Sequence, residues 1–191
     1  MSASLHGEWR MLLQRNKSCL VIVDVQEKLM PKIHQSSEIE MRCSWLMRLA
    51  GELKIPLMVS EQYPKGLGET LPSLRQLMPG KTDIEKVHFS CYRDPSFIKH
   101  WRTVNRKQVV LAGIETHVCV LQTALDMNAA GIDVFVVTDA VSSRNTIDHD
   151  CALKRLNQAG VHLVTSEMVL FEWLEQAGNA TFKAISQAFL K

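Results

Sequence analysis

CLVIVD occupies residues 19–24 and consists of five apolar residues followed by an aspartate. A short apolar run without alternation is typical of a strand that is buried on both faces, as in a parallel sheet. A second strong strand is predicted at Val109–Gly113. The other predicted strands are Leu57–Ser60, Thr82–Phe89, Val134–Val137 and Val161–Val164.

Amphipathic segments separate these strands. Apolar residues recur at helical spacing behind Ser37, and the other predicted helices are Pro95–Asn105, Val118–Ala130, Thr146–Ala159, Met168–Leu174 and Thr181–Leu190. Strands that alternate with helices imply βαβ units, a mostly parallel sheet and helices on both of its faces. The stretch from Tyr63 to Gly80 is rich in glycine and proline. It predicts a long loop with one helical turn around Leu74, and such loops are often functional.

The composition is that of an ordinary soluble protein, with 191 residues, 46% hydrophobic and 22% charged. This length suits one domain over residues 1–191. A net charge of +2 is too small to imply a nucleic-acid or membrane partner, and no apolar run approaches the roughly 20 residues of a membrane span. Met1–Ser18 has no secretory pattern. The five cysteines are odd in number and form no C-x-x-C pair, so we expect free thiols in a cytoplasmic protein.

Two places at the predicted strand ends can carry chemistry, because ligands of open parallel sheets bind outside the carboxyl ends of the strands. Asp24 ends the first strand, although an aspartate there is equally compatible with capping the next turn. Cys119 falls in the first turn of a predicted helix, where backbone N–H groups favour a thiolate and can bind an oxyanion. We therefore expect its pKa below that of an ordinary thiol. Cys91, which follows the third strand, is the rival nucleophile.

Several familiar sites have no support in the sequence. Neither G-x-G-x-x-G nor G-x-x-x-x-G-K-[ST] follows the first strand, which argues against dinucleotide and P-loop binding. The histidines form no H-x-x-x-H pair, and no serine lies in a nucleophile elbow. The sequence therefore predicts no cofactor and no metal.

Four segments in a fixed order identify a family resemblance. They are Val21–Gln26 (VIVDVQ), Glu85–Ser90 (EKVHFS), Gly113–Val120 (GIETHVCV) and Thr138–Arg144 (TDAVSSR). Together they resemble the isochorismatase-like, or cysteine hydrolase, superfamily over residues 17–176. The stretch Ser60–Gly68 (SEQYPKGLG) resembles in addition the isochorismatase-domain proteins, whose substrates are largely unassigned.

The resemblance implies a Rossmann-like three-layer sandwich with a six-stranded parallel sheet, and a homo-oligomer. It assigns a catalytic triad to Asp24, Lys86 and Cys119; nothing in the spacing alone distinguishes Lys86 from other lysines. It further implies a cis peptide between Ile114 and Glu115, which aims the amides of Glu115 and Cys119 at one point as an oxyanion hole.

The implied reaction is hydrolysis of an amide or related C–N bond in a small molecule, through a thioester on Cys119. Gln26, Gln62, Tyr63 and Phe89 are the predicted pocket residues. Nicotinamidases carry metal ligands after the second strand, whereas this chain has Glu61–Pro64 (EQYP) without a histidine, so we expect a metal-independent enzyme. Two alternatives stay open: vinyl ether hydrolysis of the isochorismatase type, and a non-catalytic scaffold or redox protein.

Overall fold

The computed structural model describes residues 12–78, 80 and 83–190. Its six strands form one sheet in the order β3-β2-β1-β4-β5-β6. Every neighbouring pair of these strands is parallel, which confirms the predicted fold class. The strands are β1 Ser18–Val23, β2 Leu57–Gln62, β3 Asp83–Lys86, β4 Gln108–Ile114, β5 Asp133–Ser142 and β6 His162–Val164.

Helices cover both faces of the sheet. They are α1 Ser36–Glu52, α2 Pro64–Leu67, α3 Pro72–Arg75, α4 Pro95–Val104, α5 Leu121–Ala129, α6 Thr146–Gln158, α7 Ser166–Leu174 and α8 Ala180–Phe189. Helices α1, α7 and α8 contribute to the apolar cluster on one face. Helices α4, α5 and α6 contribute to the cluster on the other face. None of the described helices is long and apolar enough to cross a membrane.

The central strands explain the apolar runs of the sequence. Every residue of β1 and β4 is buried. Successive side chains of β1 enter opposite clusters: Leu20 and Ile22 pack under α1, whereas Val21 and Val23 pack toward α5. Each fully buried side chain of this size contributes about 1.5–3 kcal/mol. A strand with two buried faces therefore consists mainly of apolar residues, as predicted from the sequence, and the buried polar residues Ser18 and Gln108 stand at the first positions of β1 and β4.

Several boundaries differ from the prediction. The helix predicted over Val118–Ala130 begins as a π-helical turn, Thr116–Val120, before α5. In the stretch predicted as a loop between Tyr63 and Gly80, the helical turn expected around Leu74 is present as α3, whereas α2 was not predicted. Thr82, the predicted start of the third strand, lies outside the described residues, as does the segment 1–11 in which a secretory pattern was not expected.

Gly113 sets the approach of the two central strands. Its φ is +113°, a conformation that side-chain-bearing residues rarely adopt, and a Cβ here would lie 2.7 Å from Val23 N. The register of β4 against β5 also shifts between Leu111 and Gly113. Glycine thus lets β4 come close to β1 where the strand order of the sheet reverses, which is where the fold places ligands.

Candidate active site

Three polar residues meet at the carboxyl edge of the sheet. Asp24 follows β1, Lys86 ends β3, and Cys119 lies in the π-helical turn after β4. Their exposed fractions are 0%, 2% and 6%, respectively. The structure thus brings together, in one nearly closed site, the three residues that the family resemblance singles out.

Asp24 is held by partners on both carboxylate oxygens. Lys86 Nζ donates to Oδ2 at 2.7 Å, and Ser60 Oγ donates to Oδ1 at 2.7 Å. The Asp24 backbone has φ 51°, in the left-handed region that aspartate tolerates better than most residues. The carboxylate therefore has a fixed orientation at the end of β1.

Lys86 is buried yet charged. Its ammonium also donates to Gln62 Oε1 at 2.6 Å, and to the carbonyl oxygens of His88 and Phe89 at 3.3 Å each. Burial acts to lower the pKa of Lys86, but Asp24, with smaller contributions from Cys91 and Cys119, raises it above its ordinary value. An ammonium in this setting stays protonated at neutral pH and can stabilise negative charge nearby.

The pKa expected for Cys119 was wrong. Burial, the largest cause, and the charge of Asp24 raise the pKa of the Cys119 thiol, against a smaller lowering by Lys86. The amides at the helix start are evident from the sequence, whereas the carboxylate packed beside the sulfur is brought there by the fold. Because the charge of Lys86 is already paired with Asp24, the resting site contains a thiol next to a carboxylate. Asp24 is then placed to accept the proton at the moment of attack.

We expect Cys119 to alkylate first among the four buried cysteines. Its exposed fraction is 6%, against 0% for Cys19, Cys43 and Cys91. Because its pKa is raised, the thiolate fraction, and with it the alkylation rate, should still increase above pH 9.0, the ordinary thiol value. Iodoacetamide rates mapped by mass spectrometry across pH would test this.

Cys151 is exposed, so the alkylation experiment uses a Cys151→Ser background. Cys119→Ala in that background is the matched control for the assignment of the labelled peptide. Faster labelling of Cys91 than of Cys119 would contradict the choice of nucleophile.

The turn that carries Cys119 is fixed to the segment after β5. The Ile114–Glu115 peptide is cis, at the position that the resemblance implies. Glu115 Oε2 accepts from Arg144 N at 3.1 Å and from Arg144 Nε at 3.0 Å. Thr116 Oγ1 lies 3.0 Å from His149 Nδ1. These contacts hold the start of the nucleophile turn rigidly against its neighbours.

The four predicted pocket residues fall into two kinds. The amide atoms of Gln26 and Gln62 all bond within the chain. Tyr63 and Phe89 are instead 55% and 53% exposed. The side chains of Tyr63 and Phe89 are therefore the ones accessible to a ligand. A cavity of about 330 Å³ at the end of β3 borders the site through Lys86 and Tyr63, although Cys119 does not line it.

Ser60 was not among the predicted site residues, and Cys91 was predicted only as the rival nucleophile. Ser60 bonds Asp24 directly, and Cys91 Sγ donates to Ser60 Oγ at 3.4 Å. Burial, followed by Asp24, raises the pKa of the Cys91 thiol to about 11, so it acts as a neutral donor. Strand alternation was the available signal, since Ser60 and Gln62 share one face of β2. Among the described residues, no group of three or more histidine, cysteine or acidic side chains could bind a metal.

Comparison with known proteins shows that the chain is similar to one protein family over most of its length. The isochorismatase domain model matches residues 18–168. Isochorismatase family protein 1B of Dictyostelium discoideum is 37% identical over 173 residues, covering 88% of this chain and 84% of the relative.

Two solved structures share the fold over nearly the full length. The MAR1 ribonuclease structure from Caenorhabditis elegans is 38% identical, with TM-score 0.87, covering 94% of this chain and 93% of that chain. The Escherichia coli YcaC product, described as an octameric hydrolase of unknown specificity, is 26% identical, with TM-score 0.86, covering 94% and 91%. With this sheet, this site and these matches, the chain belongs to the isochorismatase family of hydrolases.

Proposed function

We propose that the protein is a cysteine hydrolase that cleaves an amide or related C–N bond of a small molecule, with no metal or cofactor. The observation that carries this proposal is the buried ion pair of Asp24 and Lys86, 2.7 Å apart, beside the thiol of Cys119. A base, a cation and a nucleophile on three different strand ends form a unit suited to covalent catalysis.

The first half of the reaction makes a thioester. Asp24 takes the proton of Cys119 as the sulfur attacks the substrate carbonyl, and Lys86 stabilises the charge that develops near the sulfur. The amides of Glu115 and Cys119 bind the oxyanion of the tetrahedral intermediate. Its collapse breaks the C–N bond, and Asp24 returns the proton to the leaving amine.

The second half regenerates the thiol. Water attacks the thioester carbonyl while Asp24 accepts one of its protons. The resulting intermediate expels the sulfur, which takes the proton back from Asp24, and a carboxylic acid or its equivalent leaves. Asp24 thus moves one proton in each direction per half-reaction, as a single general acid–base must.

The closed site favours a small substrate. Cys119 is 6% exposed, and Tyr63 and Phe89 are the exposed aromatic side chains that we propose to contact the ligand. The C. elegans relative is described as a ribonuclease, but a polymer cannot reach a thiol at this depth without opening the site. We therefore expect no cleavage of RNA.

Vinyl ether hydrolysis is the second candidate. The raised pKa of the Cys119 thiol favours it, because the sulfur rests in its protonated, weakly nucleophilic form. In that reaction an acid–base group protonates the alkene and no covalent intermediate forms, so Cys119 would be dispensable.

A substrate screen separates these functions. Purified protein is incubated with small amides, ureides, isochorismate and RNA, and the release of ammonia, pyruvate or nucleotides is measured. We expect ammonia or amine release from a member of the amide or ureide set, absent in Cys119→Ala. Pyruvate release that persists in Cys119→Ala would support ether hydrolysis and contradict the thioester route.

Metal removal is expected to have no effect. The described residues offer no cluster of three or more metal-ligating side chains, and Lys86 already supplies the positive charge that a metal would contribute. Dialysis against a chelator should leave the turnover rate unchanged, with elemental analysis run on the same sample. About one bound zinc, iron or manganese per chain, lost together with activity, would contradict the proposal.

We also propose that the protein is a homo-oligomer. The E. coli relative is octameric, and its structure matches 94% of this chain with a TM-score of 0.86. Light scattering coupled to size exclusion should give a mass that is a multiple of 21.6 kDa. A monomer at micromolar concentration would rule the assembly out.

A further inference from the structure

Gln62 is bonded at both ends of its side chain to the segment that holds Lys86. Its Oε1 accepts from Lys86 Nζ at 2.6 Å. Its Nε2 donates to the carbonyl oxygen of Val87 at 2.9 Å. A flipped amide would set NH₂ against the ammonium and one oxygen against another, so both contacts fix the same orientation. The carboxamide therefore presents its oxygen to Lys86.

The backbone of Gln62 is fixed as well. Its N–H donates to Gln26 Oε1 at 2.8 Å, and its carbonyl accepts from Gln26 Nε2 at 3.0 Å. Gln26 Nε2 also donates to the carbonyl of Gly68 at 2.6 Å, which ties in the loop after β2. The side chain of Gln26 thus hydrogen-bonds both backbone groups of Gln62, the residue whose side chain accepts from Lys86.

The Lys86 ammonium has more N–H donors than Asp24 alone can accept. Its ammonium faces Asp24 from β1, Cys91 from the turn before α4, and Cys119 from the nucleophile turn. An ammonium has three N–H donors, and Asp24 Oδ2 takes one of them at 2.7 Å. Apart from Gln62, the remaining acceptors are two carbonyl oxygens at 3.3 Å, which are weaker contacts.

We propose that Gln62 is a positioning residue that holds the charged Lys86 ammonium against Asp24, and that Gln26 in turn positions Gln62. This inference rests on the proposed function, because it assigns both glutamines to the catalytic pair rather than to the substrate. Substrate contacts then fall to exposed side chains such as Tyr63 and Phe89.

The test measures how fast the protons of the Lys86 ammonium exchange with water. In protein labelled with ¹⁵N-lysine, the ammonium of Lys86 gives a cross-peak whose proton exchange with water proceeds through the neutral amine. Gln62→Met is nearly isosteric and removes the acceptor. We expect the exchange at neutral pH to accelerate at least about tenfold, which corresponds to a pKa lower by about one unit. Gln62→Glu retains an oxygen acceptor and adds charge, so its exchange should be no faster than in the wild type.

Faster exchange in Gln62→Met, together with unchanged or slower exchange in Gln62→Glu, would support positioning, because a general loosening of the fold would accelerate exchange in both. Equal acceleration in both variants, or rates within twofold of the wild type in both, would overturn the inference. Iodoacetamide labelling of Cys119 in the same samples tests the proposed function separately. A wild-type Cys119 that resists labelling even above pH 9.0 would count against the function, whatever the Lys86 exchange shows.

Discussion

Cys119→Ala should lower turnover of a hydrolysed amide by roughly 10⁴–10⁶-fold, because it removes the proposed nucleophile from a catalytic unit whose members would act together. Asp24→Asn should lower the turnover comparably, since the carboxylate beside the thiol is the proposed proton acceptor. Members of one catalytic unit are strongly non-additive. The double variant Asp24→Asn/Cys119→Ala should therefore be little slower than Cys119→Ala alone, as measured by steady-state kinetics on the same substrate.

The catalytic prediction needs a folded control. Asparagine is nearly isosteric with aspartate, and the Lys86 ammonium keeps Gln62 Oε1 and two carbonyl acceptors in Asp24→Asn. Asp24→Asn nevertheless leaves the buried Lys86 ammonium without its anion, so a fall in melting temperature is expected as well. Circular dichroism at the assay temperature must therefore show that the variant is folded when its rate is measured. Full activity in Cys119→Ala together with lost activity in Asp24→Asn would refute the thioester mechanism and favour ether hydrolysis.

Lys86→Met should destabilise the protein by about 3–5 kcal/mol, because it leaves the buried Asp24 carboxylate without its cation. The ion pair has side-chain exposed fractions of 0% and 1%, so solvent cannot replace the lost partner. Urea unfolding followed by circular dichroism measures the change. Ser60 still donates to Asp24 Oδ1 in this variant. The loss in free energy of unfolding should therefore be smaller than for a carboxylate with no hydrogen-bond donor.

The double variant Asp24→Asn/Lys86→Met provides the matched control for stability. Removing both charges of a buried pair is often nearly neutral, so this variant should recover most of the free energy of unfolding while remaining inactive. A double variant as unstable as Lys86→Met would show that the lysine acts through packing rather than through its charge.

The sheet was predictable because its determinants are local. A strand buried on both faces consists mainly of apolar residues, and the run at residues 19–23 meets that condition within β1. Boundaries were less predictable where tertiary contacts override local preference. Strand β5 continues to Ser142 beyond the apolar run at 134–137, because β4 pairs with it again at Val141 and Ser142 after the register shift.

The site was only partly predictable because it depends on register between distant segments. Lys86 pairs with Gln62 across β2 and β3, and no spacing within the sequence reveals that alignment. The same limit explains the Cys119 pKa. Its place at a helix start is visible in the sequence, but the carboxylate that opposes ionisation comes from a strand nearly a hundred residues earlier.

Gly113 restricts how this scaffold can be re-engineered. A Cβ there would meet the backbone of Val23 rather than a side chain, so no second substitution at position 23 can make room for it. A directed-evolution library should keep codon 113 fixed. Its diversity belongs at Tyr63, Val87 and Phe89, whose exposed side chains can vary in size and polarity without moving the strand ends that carry the chemistry.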